Sequence, residues 1–244
     1  GRFGEEQVMI SIGGSSCQSL ATLRAALDKA LNGASSGDCS NLSADLFVAL
    51  GALESSAGLR RALTDPARDA AAKAALVSDL FAKNIKSKAL EIVSSAVSLR
   101  WSAPTDFADA IEQLAVEAQA AAANSDNKLD ELLNELFAFS KALIANPELR
   151  AAFANMADTS ARKIGLAKII FGAKFLKQTE FLIEQIVSGR SGRSIEKTIN
   201  AHIHAVTSRR ERVNAFVRSA VLLTAPQQEK LTKSLTAKIG QSVH

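Results

Sequence analysis

The sequence lacks most of the residues that build disulfide frameworks, zinc sites and membrane spans. It has no tyrosine, one tryptophan, two cysteines and four prolines in 244 residues. The cysteines, Cys17 and Cys39, lie near one end without CxxC spacing, which argues against a zinc site or a disulfide framework and fits a reducing setting. No run approaches the ~20 apolar residues that a membrane span needs. We therefore expect no metal, no cofactor and no direct membrane insertion.

The residues that are present favour helices. Hydrophobic residues make up 47% of the chain and aromatic residues only 5%, and alanine and leucine dominate. This composition is typical of a mostly helical protein, and the length suffices for two small domains with real cores. The net charge of +4 is a mild excess that does not by itself indicate nucleic-acid binding.

One stretch, residues 129–150 (LDELLNELFAFSKALIANPELR), organises the chain. Its apolar residues recur at helical spacing and predict a single apolar stripe on one helix. Pro147 ends that helix and permits a second short one, because proline is tolerated in a first turn. The stripe consists of Leu129, Leu132, Leu133, Leu136, Phe137, Leu143 and Ile144.

The same stretch occurs twice, 90 residues apart. Leu46-Phe47 aligns with Leu136-Phe137, and the alignment continues without a gap to Arg100 on Arg190. Residues 46–100 and 136–190 share 15 identities in 55 positions, four of them alanines. We interpret this as a duplicated helical unit. The alternative is the general similarity of one helical segment to another.

The predicted fold is mainly α, with two tandem related helical bundles followed by the start of a small α/β C-terminal domain. We expect a loop over 33–41, a helix over about 44–55, and a long helix over about 107–123 that the two bundles share or meet at. The alternation over 213–221 predicts a strand, and Thr224 opens a helix to about Ile239 with Leu231 and Leu235 inward. The expected segments are 1–15 (disordered, or from an expression vector), 16–106 (first unit), 107–209 (second unit) and 210–244 (partial C-terminal domain).

No motif for catalysis stands out. His202 and His204 lie two residues apart, so on a helix they point to different faces and coordinate a metal poorly. The basic cluster at 209–212, together with Lys230, Lys233 and Lys238, is interpreted as a solvated face, since no aromatic residues interleave with it. Trp101, beside a turn, is interpreted as a small satellite of the core.

Three segments of the sequence resemble a known family. They are similar to the delta subunit of F-type ATP synthases, a relative of the oligomycin-sensitivity-conferring protein. The segments are 136–153 (LFAFSKALIANPELRAAF), the Lys163 helix ending in Phe171, and 212–243 (RVNAFVRSAVLLTAPQQEKLTKSLTAKIGQSV). This likeness covers 107–244. The first unit, with LRRALTDPARDAAAKAALVSDLF at 59–81, resembles the extra N-terminal copy in the elongated delta of some Gram-positive bacteria. Family members continue beyond the position of His244, so we expect an incomplete C-terminal domain, which puts stalk binding in doubt.

The resemblance implies a non-catalytic stator subunit on the cytoplasmic face of the bacterial plasma membrane. Its expected partners are the N-terminal helices of the alpha subunits and the b-type peripheral stalk. We expect the helices near 107–123 and 176–188 to form the groove for a partner helix. The candidate groove residues, each of which could instead be ordinary core, are Ile111, Leu114, Ala118, Leu182, Ile183, Ile186 and Val187.

Two other functions stay open at the level of sequence. A helical-repeat scaffold unrelated to ATP synthase rests on the duplication alone, and the predicted strand argues against it. A nucleic-acid-binding protein rests on the pI of 9.1 and the basic cluster.

Overall fold

A computed structural model describes residues 14–155, 157–189 and 193–213, and six later residues: 224, 226, 227, 229, 230 and 234. These residues contain no strand. They form the following eleven helices: α1 Gly14–Leu31, α2 Ser36–Ser55, α3 Ala57–Thr64, α4 Ala70–Phe81, α5 Ser87–Ala96, α6 Pro104–Ser125, α7 Leu129–Ala145, α8 Pro147–Ala154, α9 Ser160–Phe171, α10 Lys177–Ser188 and α11 Ile195–Val213. The mainly α fold predicted from the sequence is confirmed.

The start of α2 differs from the expectation. The predicted loop at 33–41 ends at Ser35, because Ser35 and Asp38 form a capping box. The Ser35 hydroxyl accepts from the Asp38 N–H at 3.1 Å, and the Asp38 carboxylate accepts from the Ser35 N–H at 3.3 Å. These bonds satisfy N–H groups that a helix start leaves free, so α2 begins two turns earlier than its apolar pattern suggested.

Helix α6 is the centre of the molecule. Pro104 occupies its first turn, and sixteen of its 22 residues are buried. A helix buried on all sides must let its neighbours approach closely, and the run of alanines from Ala120 to Ala123 allows this. Helices α1, α2, α3, α7, α10 and α11 all contact it.

The helix bounds confirm the duplication. Adding 90 to the bounds of α3 and α4 gives those of α8 and α9, and the starts of α1 and α5 map onto the starts of α6 and α10. Helix α6 therefore closes a first bundle, α1–α6, and opens a second, α6–α11. One continuous hydrophobic core contains buried residues of both bundles. The boundaries at 106/107 and 209/210 stay predictions.

One polar contact is also duplicated. The Asp45 carboxylate on α2 accepts from the Lys86 N–H at 3.0 Å, just before α5. Ninety residues later, the Glu135 carboxylate on α7 accepts from the Leu176 N–H at 3.0 Å, just before α10. Each acid satisfies a free N–H group and places a negative charge at the positive end of a helix. The identity count did not include this pair, because it lies one position before the aligned stretches, and the two acids differ in type.

Several expectations fall outside the described residues. Val213 is the last residue of α11, and the rest of the strand predicted over 213–221 is not among them. Of the helix predicted from Thr224, the described residues Pro226, Gln227, Glu229, Lys230 and Ser234 are helical. At its start, the Gln227 side-chain oxygen accepts from the Thr224 N–H at 3.0 Å, which is half of a capping box. Most of the predicted C-terminal domain, and residues 1–13, are likewise outside.

Replacing Glu135 tests the duplicated cap. Glu135 also accepts from the hydroxyl of the fully buried Thr179, so Glu135→Gln weakens several bonds at once. We expect the free energy of unfolding in urea to fall by about 1–2 kcal/mol.

The matched control is Glu131→Gln on the same helix. Glu131 pairs with Lys128 at 3.9 Å, and both side chains are about half exposed. Exposed pairs of this kind contribute little, so the control should change stability by less than ~0.5 kcal/mol. Equal effects of the two substitutions would contradict the capping role.

Candidate protein-interaction site

All seven predicted groove residues lie in the core. The three on α6 (Ile111, Leu114 and Ala118) are 0% exposed. The four on α10 (Leu182, Ile183, Ile186 and Val187) are no more than 2% exposed. A partner helix cannot contact side chains buried to this degree while the bundle is closed. Their role in partner binding stays a prediction.

Helix α2 of the first bundle covers α6 where a partner helix was expected. The Ser43 hydroxyl donates to the Ala115 carbonyl at 2.7 Å, and the Ser36 hydroxyl donates to the Ala122 carbonyl at 3.0 Å. The two helices therefore run antiparallel in direct contact.

Further along α2, Phe47 reaches α10 and α11. Its ring meets Phe181 edge-on at a centroid distance of 5.7 Å, and it lies 6.1 Å from the ring of His202. The chain thus places one of its own helices against the groove helices α6 and α10.

A first group of buried charges joins α6 to α11. Glu112, 4% exposed, accepts from Arg193 at 2.6 Å and lies 3.3 Å from Nε2 of the buried His202. Arg193 also pairs with Asp109 at 2.6 Å. Glu112 and His202 are equivalent positions of the duplication, so this contact joins corresponding faces of α6 and α11.

A second group brings in α1. Glu117 is fully buried and pairs with Arg24 of α1 at 2.8 Å and with Arg212 of α11. Arg209, 5% exposed, pairs with Asp28 of α1. The three helices that these charges connect, α1, α6 and α11, occupy equivalent places in the repeat.

The basic cluster is only in part the solvated face that we expected, because Arg209 is buried and Arg210 partly buried, whereas Glu211 and Arg212 are exposed. Arg209 and Arg212 are spaced i, i+3, so they share the side of α11 that faces the acids of α1 and α6. Arg210 pairs with Asp130 of α7 at 3.2 Å. Of the lysines grouped with them, Lys230 is exposed, and Lys233 and Lys238 lie outside the described residues.

The two histidines and Trp101 lie as their spacing and setting predicted. His202 is buried and His204 exposed, so the two rings point to different sides of α11. In the described part of the chain, no group of three residues is arranged to hold a metal. Trp101 is half-buried, donates to the Ala96 carbonyl at 2.9 Å and packs edge-on against Phe107 at 5.5 Å, which confirms the satellite-core interpretation.

Comparison with known proteins decides the family. Residues 113–244 match the family described as ATP synthase delta (OSCP) subunit. The chain is 35% identical over 236 residues to "ATP synthase subunit delta" of Streptomyces coelicolor, covering 97% of this chain and 86% of that protein. It is 37% identical over 225 residues to the protein of the same name from Kineococcus radiotolerans, covering 92% and 81%.

The chain belongs to the ATP synthase delta (OSCP) subunit family. The similarity to the first relative spans nearly the whole chain and so includes the first bundle. A delta subunit is a non-catalytic stator and coupling component of the F-type ATP synthase, a membrane-associated complex. The resemblance seen in the sequence is confirmed, and the unrelated scaffold is not favoured.

No described helix of this delta-family chain is by itself long and apolar enough to be a candidate membrane span. Taken together, α2 and α3 have the length and apolar composition of a membrane span, but the pair is bent by 107° at the break between them. Many of its apolar residues are packed in the core, Leu46, Leu50, Leu53 and Leu63 among them.

Sequence reasoning missed the buried charges. Glu112 and Glu117 stand within the alanine-rich stretch that became α6, and a charge at a core position of a buried helix needs a partner. Their position in that stretch was the available signal.

The predicted apolar stripe on α7 was wrong at two positions, because Phe137 and Ile144 are 44% and 71% exposed, whereas Phe139, which the stripe left out, is fully buried. Three further accessible apolar residues were not singled out: Val48, Leu80 and Ile169.

Replacing Leu114 distinguishes core from groove. Leu114→Ala leaves a cavity in a fully buried site, so we expect the free energy of unfolding to fall by about 2–5 kcal/mol. The control, Ile169→Ala at a residue 84% exposed, should change it by less than ~0.5 kcal/mol. If Leu114→Ala instead left the melting temperature unchanged and weakened partner binding, Leu114 would belong to an accessible groove.

Proposed function

We propose that this delta-family chain links the alpha subunits of the catalytic head to the b-type peripheral stalk, on the cytoplasmic face of the bacterial plasma membrane. In this role it keeps the head from turning with the rotor, so that proton-driven rotation is coupled to ATP synthesis. The observation that carries the proposal is the family similarity over nearly the whole chain.

The architecture supports a role in transmitting force. A stator component must pass force from one partner to another without yielding at an internal hinge. Here no linker separates the two bundles, because α6 belongs to both, and the pairs of the buried Glu117 with Arg24 and Arg212 hold α1 and α11 to it. Close-packed interiors have low compressibility and transmit strain, which suits this task.

The alpha-subunit helix has two proposed placements. In the first, it lies against α6 and α10 through the seven predicted groove residues, and must then displace α2 with its Phe47. In the second, it lies on the outer surface of α9. There Ile169 is 84% exposed.

The structure weakens the case for nucleic acid. That hypothesis rested on the basic cluster, and Arg209, Arg210 and Arg212 each pair with a carboxylate of the same chain. Each carboxylate offsets the positive field of its arginine, so this cluster attracts a phosphate backbone less than its sequence suggests.

Calorimetric titration tests the proposal. The full chain is titrated with a synthetic peptide of the alpha-subunit N-terminus from the same source, against a scrambled peptide as control. We expect saturable binding with a Kd near micromolar or tighter, which is about −8 kcal/mol or better. No binding by a chain shown to be folded by circular dichroism would contradict the proposal that this chain alone holds the helix.

A substitution then separates the two placements. The first bundle carries Asp79 at the position equivalent to Ile169. Ile169→Asp therefore gives the second bundle the residue of the first, at an exposed site where stability should hold. At least tenfold weaker binding would favour the outer surface, and unchanged binding would favour the groove that α2 now fills.

A further inference from the structure

A cleft of about 710 Å³, open to solvent, lies on the first bundle. Its walls come from the end of α3, from the turn that leads to α4, and from the start of α6. Arg61, Arg68 and Trp101 are among the residues that line it. The volume is within the range of ligand-binding clefts, and arginine and tryptophan are two of the residue types that contribute most to binding surfaces.

The charges in the cleft are mainly positive. Arg61 and Arg68 are exposed, and in the described part of the chain neither guanidinium group has an ion-pair or hydrogen-bond partner. The Lys73 ammonium is buried against the same turn, where it donates to the Asp65 carbonyl at 3.2 Å. Asp65 is the one acid in the lining, and its carboxylate accepts from the Ala67 N–H at 2.9 Å. The arginines are therefore available to an anionic partner.

An aromatic ring accompanies these charges. Trp101 is half-buried, and its indole N–H donates to the Ala96 carbonyl at 2.9 Å. The ring also packs edge-on against Phe107 at 5.5 Å. These contacts hold the indole in place, and the part that stays accessible lines the cleft. A fixed ring beside two arginines favours a ligand that combines anionic groups with apolar side chains.

The second bundle lacks this combination of residues. The positions equivalent to Arg61, Arg68 and Trp101 are Ala151, Asp158 and Ser191. Helices α8 and α9 of the second bundle nevertheless have the same relative bounds as α3 and α4. The two arginines are therefore not needed to form these helices, which leaves a role at the surface of the first bundle.

The start of α6 does not make this cleft a phosphate site. Pro104 has no N–H group, and the Asp106 N–H donates to the Ala103 carbonyl at 3.0 Å. The Asp106 carboxylate adds a negative charge to the same turn. Phosphate binding at a helix start depends on free N–H groups and an unopposed positive end. The two arginines thus provide the attraction, and their planar groups suit carboxylates.

We propose that the cleft lined by Arg61, Arg68 and Trp101 binds an acidic peptide segment of a partner protein. Carboxylates of the segment pair with the two arginines, and an apolar side chain packs against the indole of Trp101. The site belongs to the first bundle alone. It does not depend on the partners proposed above.

Tryptophan fluorescence of the full 244-residue chain tests this, because Trp101 is its only tryptophan and it has no tyrosine. The probe is the acetylated and amidated peptide Glu-Glu-Leu-Glu-Glu-Leu-Glu-Glu, and the control peptide has glutamine in place of each glutamate. Arg61→Ala and Arg68→Asp each introduce the residue of the second bundle. The control variant, Arg162→Ala, removes an exposed positive charge from α9. Circular dichroism establishes that each variant is folded.

We expect the acidic peptide to shift the emission of Trp101 saturably, with a Kd below about 1 mM, and the glutamine peptide to give no saturable shift. Each cleft variant should weaken binding about tenfold, because hydrogen bonds between charged groups are lost. Arg162→Ala should leave the Kd within about twofold. Added salt should weaken binding, because it screens exposed charges.

Three results would overturn the proposal: no saturable shift with the folded protein, equal binding of the two peptides, or equal effects of the cleft variants and Arg162→Ala. Inorganic phosphate supplies the remaining control. If phosphate displaced the peptide at constant ionic strength, the cleft would be a site for simple anions, which would overturn the proposal as well.

Discussion

The structure depends on one helix being buried on every side. Helix α6 is the sixth helix of one bundle and the first of the next, so both faces must pack at close range. Small side chains make this possible, because each alanine lets a neighbouring helix approach at little cost in side-chain entropy. A larger residue among Ala120 to Ala123 would overpack a position that has no exposed side to relax into.

Burying α6 also buries its charges, and this shapes the rest of the chain. Removing a carboxylate such as that of Glu112 or Glu117 from water costs several kcal/mol unless a cation with good geometry compensates for it. The compensation comes from α1 and α11, through Arg24, Arg193 and Arg212. Buried pairs of this kind add little net stability, but leaving one member alone costs about 3–5 kcal/mol, so they select the arrangement in which α1 and α11 both lie against α6.

The elements that the sequence predicted correctly are those that local pattern determines. The apolar spacing over 129–150 and Pro147 located α7 and the start of α8, and the 90-residue alignment predicted the duplication. Prediction was wrong at the start of α2 and at Arg209. At the start of α2, the Ser35–Asp38 box is a local signal, but it lies inside a glycine- and serine-rich stretch that looked like a loop. The burial of Arg209 depends on acids far away in sequence, which a local cluster of positive charge does not reveal.

The candidate site shows the same limit of prediction from local sequence pattern. An apolar stripe such as Leu182, Ile183 and Ile186 shows that a face is covered, but not whether a partner or the same chain covers it. Here α2 packs on α6, and Phe47 extends that contact to α10. The duplication identifies equivalent positions in the two bundles, but it does not show which of them are covered. Phe47 and Phe137 are the same residue type at equivalent positions, but they differ in exposure because α10 and α11 cover only Phe47.

The two bundles form one cooperative structure through α6. Hydrogen exchange, followed by mass spectrometry over a series of urea concentrations, tests this cooperativity. We expect the amides of α6 to exchange only by global unfolding, and α1–α5 and α7–α11 to lose their last protection at the same urea concentration as α6. Loss of protection over α1–α5 at lower urea, while α6–α11 stays protected, would show two separable bundles and contradict this cooperativity.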